Sequence, residues 1–592
     1  MSQVNNSKSS VNISNTKTIH FLKAANSYIL DEDFKKGQIA TLPTKIANYF
    51  LANKIAEEVT KKEETQTLEI KEQKEKRPEK KLKKEPERKA QEKKEAHRYV
   101  QHSLIVENTI EARLYQEVSF AETVKKNSLV ILPTGLGKTI IAVLSSVYWL
   151  GQDENNKVIM FAPTRPLLDQ HYDNFSKWLN ISDEEIIQIT GRTYKKKRLA
   201  IYENARMIFM TPQITLDEFD LKNVALMIFD ECHRAVRKYR YVSNAEKYFI
   251  EARDPHILGL TATPGTSKTL LTVMRNLKIN KVSLANEESS TVRPYSHPIF
   301  EEYVKITLPP ELMNLRNFIN NALKRKLTIL SHHPLIKKYV EDKFRINPHE
   351  LARIVKLHMG SMASVKPILM QVLSLSYLLN LVEAQSLRAL ENKLDDLQGS
   401  RNPIYREINS IVADLKRDNI KHPKPRIASN IVEKYCKNHE DSRVLVFVQY
   451  LDSLDIILRE LEERELKVNK LVGQKTMNQD EQREVLKGFK EGKFQILVAT
   501  SVAEEGLDVA QCDLVVFYDC IPSGIRTVQR RGRTGRRRAG RLIYLYTEGT
   551  WEESYIYISR KRIKETTHIL KLIERQDDPL EFLREYLNSK NK

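Results

Sequence analysis

The chain has 592 residues, 41% of them hydrophobic, and a formal net charge of +20. This length allows about three or four domains. The positive charge favours a polyanionic partner, nucleic acid before an anionic membrane. Its four scattered cysteines exclude a disulfide scaffold, and it shows neither a signal peptide nor a run of the roughly 20 apolar residues that a membrane span needs. We therefore expect an intracellular protein with no membrane partner, cytoplasmic and nucleoid-associated in a prokaryote or nuclear in a eukaryote.

The first 98 residues are predicted to form an extension that is charged and largely disordered. Residues 1–16 are rich in Ser, Asn and Thr, and the apolar residues between Ile19 and Val59 suffice for one or two short helices. From Lys61 to Arg98 the composition falls to Lys, Glu, Arg and Gln, which cannot bury enough apolar surface to offset the entropy of ordering. We expect a charged linker or a solvated helix here, with a nucleic-acid tether or a nuclear-import signal as the less favoured alternative.

The stretch LVILPTGLGKT, residues 129–139, predicts a strand, a phosphate-binding loop and the start of a helix. Gly135 and Gly137 let successive backbone N–H groups converge on phosphate oxygens, Lys138 brings a positive charge to the β and γ phosphates, and the Thr139 hydroxyl can ligate Mg²⁺. The strict form of this motif begins with glycine at a position where this chain has leucine. For the loop alone, an ordinary strand-to-helix turn with a solvated lysine stays the alternative.

Strand-like runs alternate with helix-like sequence after the loop. Each run ends in polar or small residues, and the runs cover residues 158–162, 207–210, 226–229 and 257–260. Such alternation predicts a parallel sheet covered by helices, with ligands at the carboxyl ends of the strands. We assign residues 99–300 to this first α/β domain and expect it to bind ATP.

Long helical periods replace the alternation in residues 301–420, so we predict a mostly helical inserted domain there. The pair Pro309 and Pro310 would begin its first helix. A second α/β domain is assigned to residues 421–573. Its strand-like runs lie at 444–448, 496–499 and 514–518, its last helix covers 551–573, and a polar tail follows over 574–592.

Two adjacent carboxylates, Asp230 and Glu231, follow an apolar run in the sequence DECH. Such a pair at a strand end is costly unless a cation or a proton-transfer task holds it. Asp230 can hold Mg²⁺ through water, and Glu231 can polarise the water that attacks the γ-phosphate. His233 would link this site to the next motif, GLTATPG, while a surface acidic pair is the alternative.

An arginine-rich run, QRRGRTGR at residues 529–536, is the sharpest signal in the second α/β domain. Interspersed glycines let several guanidinium groups approach one anion, and arginine is the donor best fitted to phosphate oxygens. An arginine placed across from a phosphate-binding loop accelerates phosphoryl transfer by about 10³ to 10⁵. The alternative is a basic nucleic-acid or localisation run, which Arg537, Arg538 and Arg541 would extend.

In this order the motifs PTGLGKT, DECH, TATPG, TSVAEEGLD and QRRGRTGR resemble those of a superfamily 2 helicase motor. The stretches EARLYQ, APTRPLLDQH, VLVFVQY and IPSGIRTVQRRGRTGR, with the helical insert, resemble more narrowly the archaeal Hef helicase and Fanconi anaemia group M family. The resemblance covers about residues 99–573. It implies an α/β fold of two RecA-like parallel-sheet domains with an inserted helical domain.

The resemblance also implies a role for each residue that matches a family motif. ATP would contact Arg113, Tyr115, Gln116, Thr134, Gly135, Leu136, Gly137, Lys138, Thr139, Gly506 and Asp508. Catalysis would rest on Lys138, Asp230, Glu231, His233, Gln529, Arg533 and Arg536, with Mg²⁺ held by Thr139 and Asp230, and Thr261 and Thr263 would link hydrolysis to movement. The nucleic-acid backbone would contact Pro163, Thr164, Arg165, Gly191, Thr211, Gln449 and Thr500.

Two departures from the family pattern limit what the resemblance implies. No nuclease motif of the ERKxxxD type is present, so DNA cleavage is not expected of this chain. The third residue of DECH is Cys232, at a position that varies in the superfamily, and we expect it to be a packing residue rather than a nucleophile.

The motifs and the resemblance together predict an ATP-dependent DNA helicase or translocase that acts on forked or branched DNA in repair and replication-fork processing, with 3′ to 5′ polarity. Its cofactors would be ATP and Mg²⁺. Its partner would be single-stranded, forked or branched DNA, joined by a separate nuclease or a sliding clamp. Two alternatives stay open: a double-stranded RNA-dependent ATPase of the RNA-sensor or Dicer helicase type, and a non-catalytic DNA-binding scaffold.

Overall fold

The computed structural model describes residues 98–592 with some exceptions, and before residue 98 it describes only the backbone of five short strands. The exceptions are residues 192, 286–288, 290, 293–294, 296–298, 332–365, 398–401, 474–475, 501–511, 521–539 and 591–592. The chain forms two compact units, residues 1–95 and 96–592.

The N-terminal unit contains short antiparallel strands. They are β1 (Thr16–Phe21), β2 (Ala25–Ser27), β3 (Glu32–Phe34), β4 (Ile39–Pro43) and β5 (Ala56–Glu58). β1 lies between β4 and β5, and β2 pairs with β3. The residues of these five strands do not form the short helices expected between Ile19 and Val59, because β-branched residues such as those of β1 favour extended backbone. Residues 44–55 of that stretch lie outside the described residues, so a helix there stays a prediction. The charged segment 61–97 lies outside the described residues.

The first α/β domain is built on a seven-stranded parallel sheet of order β12-β6-β11-β10-β7-β9-β8. Its strands are β6 (Ser128–Ile131), β7 (Lys157–Phe161), β8 (Ile186–Ile189), β9 (Met207–Met210), β10 (Val224–Asp230), β11 (Ile257–Thr261) and β12 (Lys281–Leu284). Its helices are α1 (Leu114–Thr123), α2 (Lys138–Leu150), α3 (Arg165–Trp178), α4 (Lys195–Asn204), α5 (Arg240–Glu251) and α6 (Ser267–Asn276).

Helices and connecting segments cover both faces of this sheet, which is why its strands read as continuous apolar runs. Every residue of β6, β9 and β11 is buried. The four strands expected after the phosphate-binding loop are confirmed, with bounds that differ by at most two residues. Strands β8 and β12 escaped prediction because Gln188 and Ser283 interrupt their four-residue runs.

The inserted domain is helical, as expected. Its described helices are α7 (Pro310–Ser331), α8 (Lys366–Ala384), α9 (Leu387–Leu397) and α10 (Pro403–Arg417). Contrary to the sequence-based expectation, α8 is long and apolar enough to cross a membrane by composition, with a mean hydropathy of 1.4. More than half of it is buried, because its Leu and Val side chains pack against α7 in the core of the insert.

The second α/β domain is a six-stranded parallel sheet of order β13-β18-β17-β14-β16-β15. The strands are β13 (Ile299–Ile306), β14 (Val444–Phe447), β15 (Val468–Leu471), β16 (Ile496–Ala499), β17 (Leu514–Phe517) and β18 (Gly540–Thr547), and the helices are α11 (Pro423–Asn438), α12 (Leu451–Glu462) and α13 (Gln479–Glu491). The expected boundary at residue 300 is wrong: β13 pairs with β18 over eight residues, so the helices are inserted within the second α/β domain.

Aromatic rings form a ladder across four neighbouring strands of the second sheet. Phe447, Phe517, Tyr544 and Tyr303 stack in succession, with ring centroids 5.9, 4.4 and 4.7 Å apart. The Arg560 guanidinium lies 3.9 Å from the Tyr303 ring centroid and donates to its hydroxyl. Because stacked aromatic pairs and cation–π contacts each contribute about 0.5–1.5 kcal/mol, the ladder joins β13 firmly to the rest of the sheet.

The C-terminal helices return to the first α/β domain. They are α14 (Trp551–Ile573), whose expected bounds are confirmed, and α15 (Pro579–Lys590). Ile573 and Leu583 are fully buried in the core of the first domain, and the Glu574 carboxylate accepts from the Leu284 amide of β12 at 3.1 Å. The polar tail expected over 574–592 is therefore wrong: spaced apolar residues make α15 amphipathic, and it packs on α6.

A buried polar network joins the insert to the second domain. Lys424, at the start of α11, is fully buried and contacts the Glu552 carboxylate of α14 at 2.5 Å. Its backbone N–H donates to the ring of His422, whose other ring nitrogen lies 3.3 Å from the Glu383 carbonyl of α8. Burial, and after it the charge of Lys424, lowers the pKa of His422 from 6.5 to about 3.

This histidine predicts a specific loss of stability in acid. The unfolded chain takes up a proton near pH 6.5 and the folded chain takes it up only near pH 3, so the free energy of unfolding falls as the pH drops below 6.5, by about 2 kcal/mol at pH 5. In His422→Asn, which keeps an N-cap acceptor, we expect the difference in stability between pH 7.5 and pH 5 to shrink by that amount. Urea unfolding at both pH values measures it, and an unchanged difference would contradict the assignment.

Candidate nucleotide and nucleic-acid site

The phosphate-binding loop connects β6 to α2. Gly135 and Gly137 have φ angles of 89° and 80°, in the region that favours glycine, and a Cβ on Gly137 would lie 2.4 Å from the Gln116 amide nitrogen. Lys138 donates to the Leu132 carbonyl at 3.2 Å. The Thr134 hydroxyl is buried with no hydrogen-bond partner in the described structure. A tight turn with an unsatisfied hydroxyl at a helix N-terminus fits a phosphate chain.

Helix α1 contacts this loop through two hydrogen-bonding side chains. The Tyr115 hydroxyl donates to the Leu136 carbonyl at 2.7 Å, and the Gln116 side chain donates to the same oxygen at 3.0 Å. Both side chains are almost fully buried. In this geometry they position the loop backbone, whereas Arg113, paired with Glu111 at 2.9 Å, is partly exposed.

Tyr295 is a further candidate contact that sequence reasoning missed. Its ring is 37% exposed and lies 5.0 Å from the Arg113 guanidinium and 5.6 Å from the Tyr115 ring. The flat arginine and the exposed ring form a surface that suits a nucleobase. No motif surrounds Tyr295 in the sequence, so only the fold brings it to α1.

The acidic pair lies at the carboxyl end of the central strand β10. Asp230 is 4% exposed, and Glu231 has a left-handed backbone with φ of 48°, a strain that is typical of functional sites. Burial raises the pKa of the Asp230 carboxyl. The hydrogen bond and charge of His171, the charge of Lys138 and the Glu231 amide outweigh burial and hold the pKa below its usual value, so the carboxylate is ionised and suited to a cation.

His171, on α3, was not expected in this site. Its Nε2 lies 2.8 Å from Asp230 Oδ2, and both side chains are buried. A histidine that donates to a metal-binding carboxylate fixes the orientation of that carboxylate. The residue is the last of APTRPLLDQH, whose Pro163, Thr164 and Arg165 are candidate nucleic-acid contacts, so this contact connects the nucleotide residues with the nucleic-acid residues.

The rest of DECH links the acidic pair to TATPG. His233 Nδ1 lies 3.1 Å from the Thr261 hydroxyl, which donates to the Thr263 carbonyl at 3.0 Å. Cys232 is fully buried, and a Cβ on Gly259 would lie 3.1 Å from its sulfur. Burial, with the charges of Glu231 and Asp230, raises the pKa of the Cys232 thiol well above its usual value. Its expected packing role is confirmed.

The candidate nucleic-acid contacts follow the other strands of the first sheet and two strands of the second. The residues are Pro163, Thr164 and Arg165 after β7, Gly191 after β8, Thr211 after β9, Gln449 after β14 and Thr500 after β16. Strands β8, β9 and β7 are neighbours at one side of the first sheet. The nucleotide-site residues follow β6, β11 and β10, so the carboxyl edge of this sheet is divided into two adjacent halves.

The two α/β domains meet at Asp169, four residues after Arg165 on α3. One oxygen of Asp169 accepts from Arg483 of α13 at 2.6 Å, and the other accepts from Gln188 of β8 at 2.6 Å. Arg165 lies 3.9 Å from the same carboxylate. Because the Arg483 side chain is half exposed, this ion pair contributes at most about 1 kcal/mol, which suits a contact that opens and closes.

The Asp519 carboxylate of the second domain connects the insert to the candidate nucleic-acid residue Gln449. Asp519, two residues after the end of β17, accepts the Gln449 backbone N–H at 2.5 Å. Its other oxygen accepts from the Gln385 side chain of the insert, which also binds Ser453 of α12. The insert therefore fixes the backbone at the end of β14.

Five predicted site residues lie outside the described residues: Gly506, Asp508, Gln529, Arg533 and Arg536. Their roles stay predictions from the sequence.

Two family patterns match the chain in the expected order. The DEAD/DEAH box helicase family matches residues 113–271, which include the phosphate-binding loop and DECH. The helicase conserved C-terminal domain matches residues 424–538.

One solved structure and several individual proteins are also similar to the chain. The crystal structure of the Pyrococcus furiosus Hef helicase domain is 34% identical, with a TM-score of 0.62, and the match covers 77% of this chain and all of that domain. MJ1505 of Methanocaldococcus jannaschii, named as an ATP-dependent RNA helicase, is 32% identical over 80% of this chain and 62% of its own length. The Fanconi anemia group M protein homolog of Mus musculus is 30% identical over 72% of this chain and 24% of its own length. The chain thus spans 62% of the length of the M. jannaschii protein and 24% of the length of the M. musculus protein.

Proposed function

The chain belongs to the Hef and Fanconi anaemia group M family of superfamily 2 DEAD/DEAH box helicases, which depend on ATP. From this premise we propose that it moves along and separates forked or branched DNA in repair and replication-fork processing, with 3′ to 5′ polarity. The observation that carries the proposal is the divided carboxyl edge of the first sheet. Residues suited to a nucleotide and residues suited to a phosphodiester backbone lie side by side there, joined by His171 and Asp230. ATP-dependent DNA helicases of Neurospora crassa and Pyricularia oryzae, each 32% identical, support DNA as the substrate.

We propose that Lys138 and Thr139 hold the phosphate chain and that Thr139 and Asp230 hold Mg²⁺. The buried hydroxyl of Thr134 and the ionised carboxylate of Asp230 support this fit. When bound, Mg²⁺ neutralises charge that develops on the phosphate oxygens. Glu231 lies beside this carboxylate and, as general base, takes the proton of the attacking water.

His233, Thr261 and Thr263 would pass the state of the nucleotide site to the rest of the first domain, since they form one chain of hydrogen bonds. The second domain would supply Gln529, Arg533 and Arg536 when the cleft closes. Opening and closing at contacts such as Asp169–Arg483 would turn alternating grips on the backbone into movement along one strand. Contacts to the backbone predict little base specificity and a strong dependence of affinity on salt.

We also expect protein partners and a location close to cellular DNA. A separate nuclease or a sliding clamp would act with the chain on branched DNA. We expect it where cellular DNA lies, at the nucleoid in a prokaryote or in the nucleus of a eukaryote. Co-purification with DNA from lysed cells, lost after nuclease treatment, measures this.

The His171 contact predicts a kinetic effect. His171→Ala leaves Asp230 without the donor that orients it, so we expect kcat for ATP hydrolysis to fall by about 10- to 100-fold and the Mg²⁺ concentration for half-maximal rate to rise. In His171→Gln the side-chain amide can still donate, and part of both losses should return. Steady-state hydrolysis at varied Mg²⁺ gives both numbers. Wild-type Mg²⁺ dependence in His171→Ala would show that the contact does not position Asp230.

A second candidate is a double-stranded RNA-dependent ATPase, which the name of the M. jannaschii relative favours. ATP hydrolysis measured without nucleic acid, then with single-stranded DNA, forked DNA and double-stranded RNA, separates the candidates. We expect forked DNA to stimulate most strongly. Stimulation by double-stranded RNA alone would replace the proposal with the RNA candidate. No hydrolysis with any of them would leave a non-catalytic scaffold.

A further inference from the structure

A short turn soon after DECH carries two exposed cations. The backbone N–H of Tyr239 donates to the Val236 carbonyl at 3.2 Å, which closes a β-turn over residues 236–239. The side chains of these two end residues are partly buried and pack against the core of the first domain. The two central residues, Arg237 and Lys238, are exposed. We call residues 236–239 the basic turn.

The backbone of the basic turn is strained at Arg237. Its φ angle of 56° lies in the left-handed region. At the first central position of a β-turn, glycine, asparagine or aspartate usually takes this conformation. An arginine there destabilises the fold relative to glycine, because its Cβ is crowded by the backbone. The demands of the turn therefore do not explain why this position carries an arginine.

Contacts within the fold do not explain the two cations either. In the part of the chain that the structure describes, the side chains of Arg237 and Lys238 form no ion pair and no hydrogen bond. Residues 234–240 contain four cations and no acidic residue. A strained turn that presents adjacent positive charges to solvent fits an anionic partner outside the chain.

Hydrogen bonds fix the basic turn beside the candidate nucleic-acid contacts. The Tyr241 hydroxyl, two residues after the turn, donates to the Asp230 carbonyl at the end of β10 at 2.8 Å and lies 3.4 Å from the Phe161 carbonyl at the end of β7. One turn further along α5, the Asn244 side chain donates to the carbonyl of Pro212, two residues after β9, at 3.5 Å. The basic turn is thus attached to the carboxyl edge of the first sheet.

We propose that Arg237 and Lys238 bind the phosphate backbone of single-stranded DNA and lengthen the path of candidate contacts along this edge. This inference rests on the proposed function, since it assumes that a DNA strand crosses the edge. The order β8-β9-β7-β10 places the basic turn after the contacts that follow β8, β9 and β7. Guanidinium and ammonium groups bind phosphate oxygens without reading the bases, which suits a protein that moves along any sequence.

The test separates a role in binding from a role in folding. Arg237→Gly removes the charge and relieves the strain together, Arg237→Lys keeps both, and Arg237→Gln/Lys238→Gln removes both charges. The control, Lys125→Gln/Lys126→Gln, removes two exposed charges just before β6, at the amino edge of the same sheet.

Three measurements are made on the full chain. Fluorescence anisotropy of a labelled single strand gives the affinity from about 50 to 200 mM salt. Urea unfolding gives the stability, and ATP hydrolysis without DNA gives the KM for ATP.

We expect Arg237→Gly to have a urea midpoint at or above that of the wild type and yet to bind the single strand more weakly. The slope of log affinity against log salt should shrink by about 0.7 in Arg237→Gly and by about 1.4 in Arg237→Gln/Lys238→Gln, since each phosphate contact on a single strand contributes about 0.7. At 0.1 M salt the second change corresponds to about 10- to 30-fold weaker binding. Arg237→Lys and the control should keep the wild-type slope.

Equal slopes for Arg237→Gln/Lys238→Gln and the control would overturn the inference. A raised KM for ATP with unchanged slopes would assign the two cations to the nucleotide instead. A lower urea midpoint in Arg237→Gly with an unchanged slope would give Arg237 a structural role. If the wild type hydrolyses no ATP with any DNA, the proposed function fails, while the slopes still decide whether the basic turn binds the strand.

Discussion

Glu231→Gln is expected to lower the rate of ATP hydrolysis by about 10² to 10⁴, because the amide cannot take the proton of the attacking water. The carboxylate follows Asp230 on a strained left-handed residue at the end of the central strand, so the isosteric amide should keep the geometry of the site and the affinity for ATP. Single-turnover hydrolysis gives the rate, and a fluorescent ATP analogue gives the affinity. In Lys138→Ala both should be lost, since the lysine binds the phosphates directly.

Cys232→Ala is the matched control for this result. It changes the next residue, whose thiol is buried against Gly259, without touching the acidic pair. We expect it to lose some stability through the cavity that it creates and to hydrolyse ATP within about tenfold of the wild type. A Glu231→Gln chain that hydrolyses ATP as fast as Cys232→Ala would show that another group is the base.

Lys424→Ala should have the largest effect on folding. Its ammonium group is fully buried, contacts the Glu552 carboxylate at 2.5 Å and lies 4.8 Å from the Tyr518 ring centroid. Removing one partner of a buried ion pair leaves an uncompensated charge, which costs about 3–5 kcal/mol. Urea unfolding followed by tryptophan fluorescence measures the loss, with Trp551 next to Glu552 as one reporter.

Two further variants separate the ion pair from general packing. In Lys424→Met/Glu552→Gln neither partner is charged, and the amide can still accept from the Thr547 backbone N–H that binds Glu552 now. We expect most of the lost stability to return. Lys437→Ala removes an exposed lysine from its pair with Glu433 on the same helix and should cost less than about 1 kcal/mol. Equal losses for Lys424→Ala and the double variant would show that the packing of the lysine stem, and not its charge, stabilises this junction.

The elements that the sequence predicts best are those with an uninterrupted run of apolar residues. Strands such as β9 and β16 are four apolar residues each, and their burial on both faces produces that pattern directly. Strand β13, IFEEYVKI, has charged residues at three of eight positions. Its membership of the second sheet depends on an eight-residue pairing with β18, more than 230 residues away, which no local pattern reveals.

The residues of the candidate site likewise divide into those that a sequence motif predicts and those that only the fold brings to the site. Lys138, Asp230 and Glu231 lie in short motifs whose chemistry can be inferred from residue type and spacing. His171 and Tyr295 reach the site only because α3 and a distant segment fold against it. Helix α15 is not evident from the sequence because charged and polar residues separate its apolar residues, although Leu583 is fully buried. Long-range packing decides such contacts, and one sequence does not encode it in a local pattern.

Strand separation on forked DNA tests the central claim most directly. A fork with one labelled arm is incubated with the full chain and ATP, with Glu231→Gln as the blank, and partial duplexes with only a 3′ or only a 5′ tail report polarity. The proposed function predicts ATP-dependent release of the labelled strand, faster from the fork than from a tailless duplex, with the 3′-tailed substrate preferred and no release by Glu231→Gln. Release without ATP, equal release by Glu231→Gln, or no release or branch movement on any DNA would contradict it.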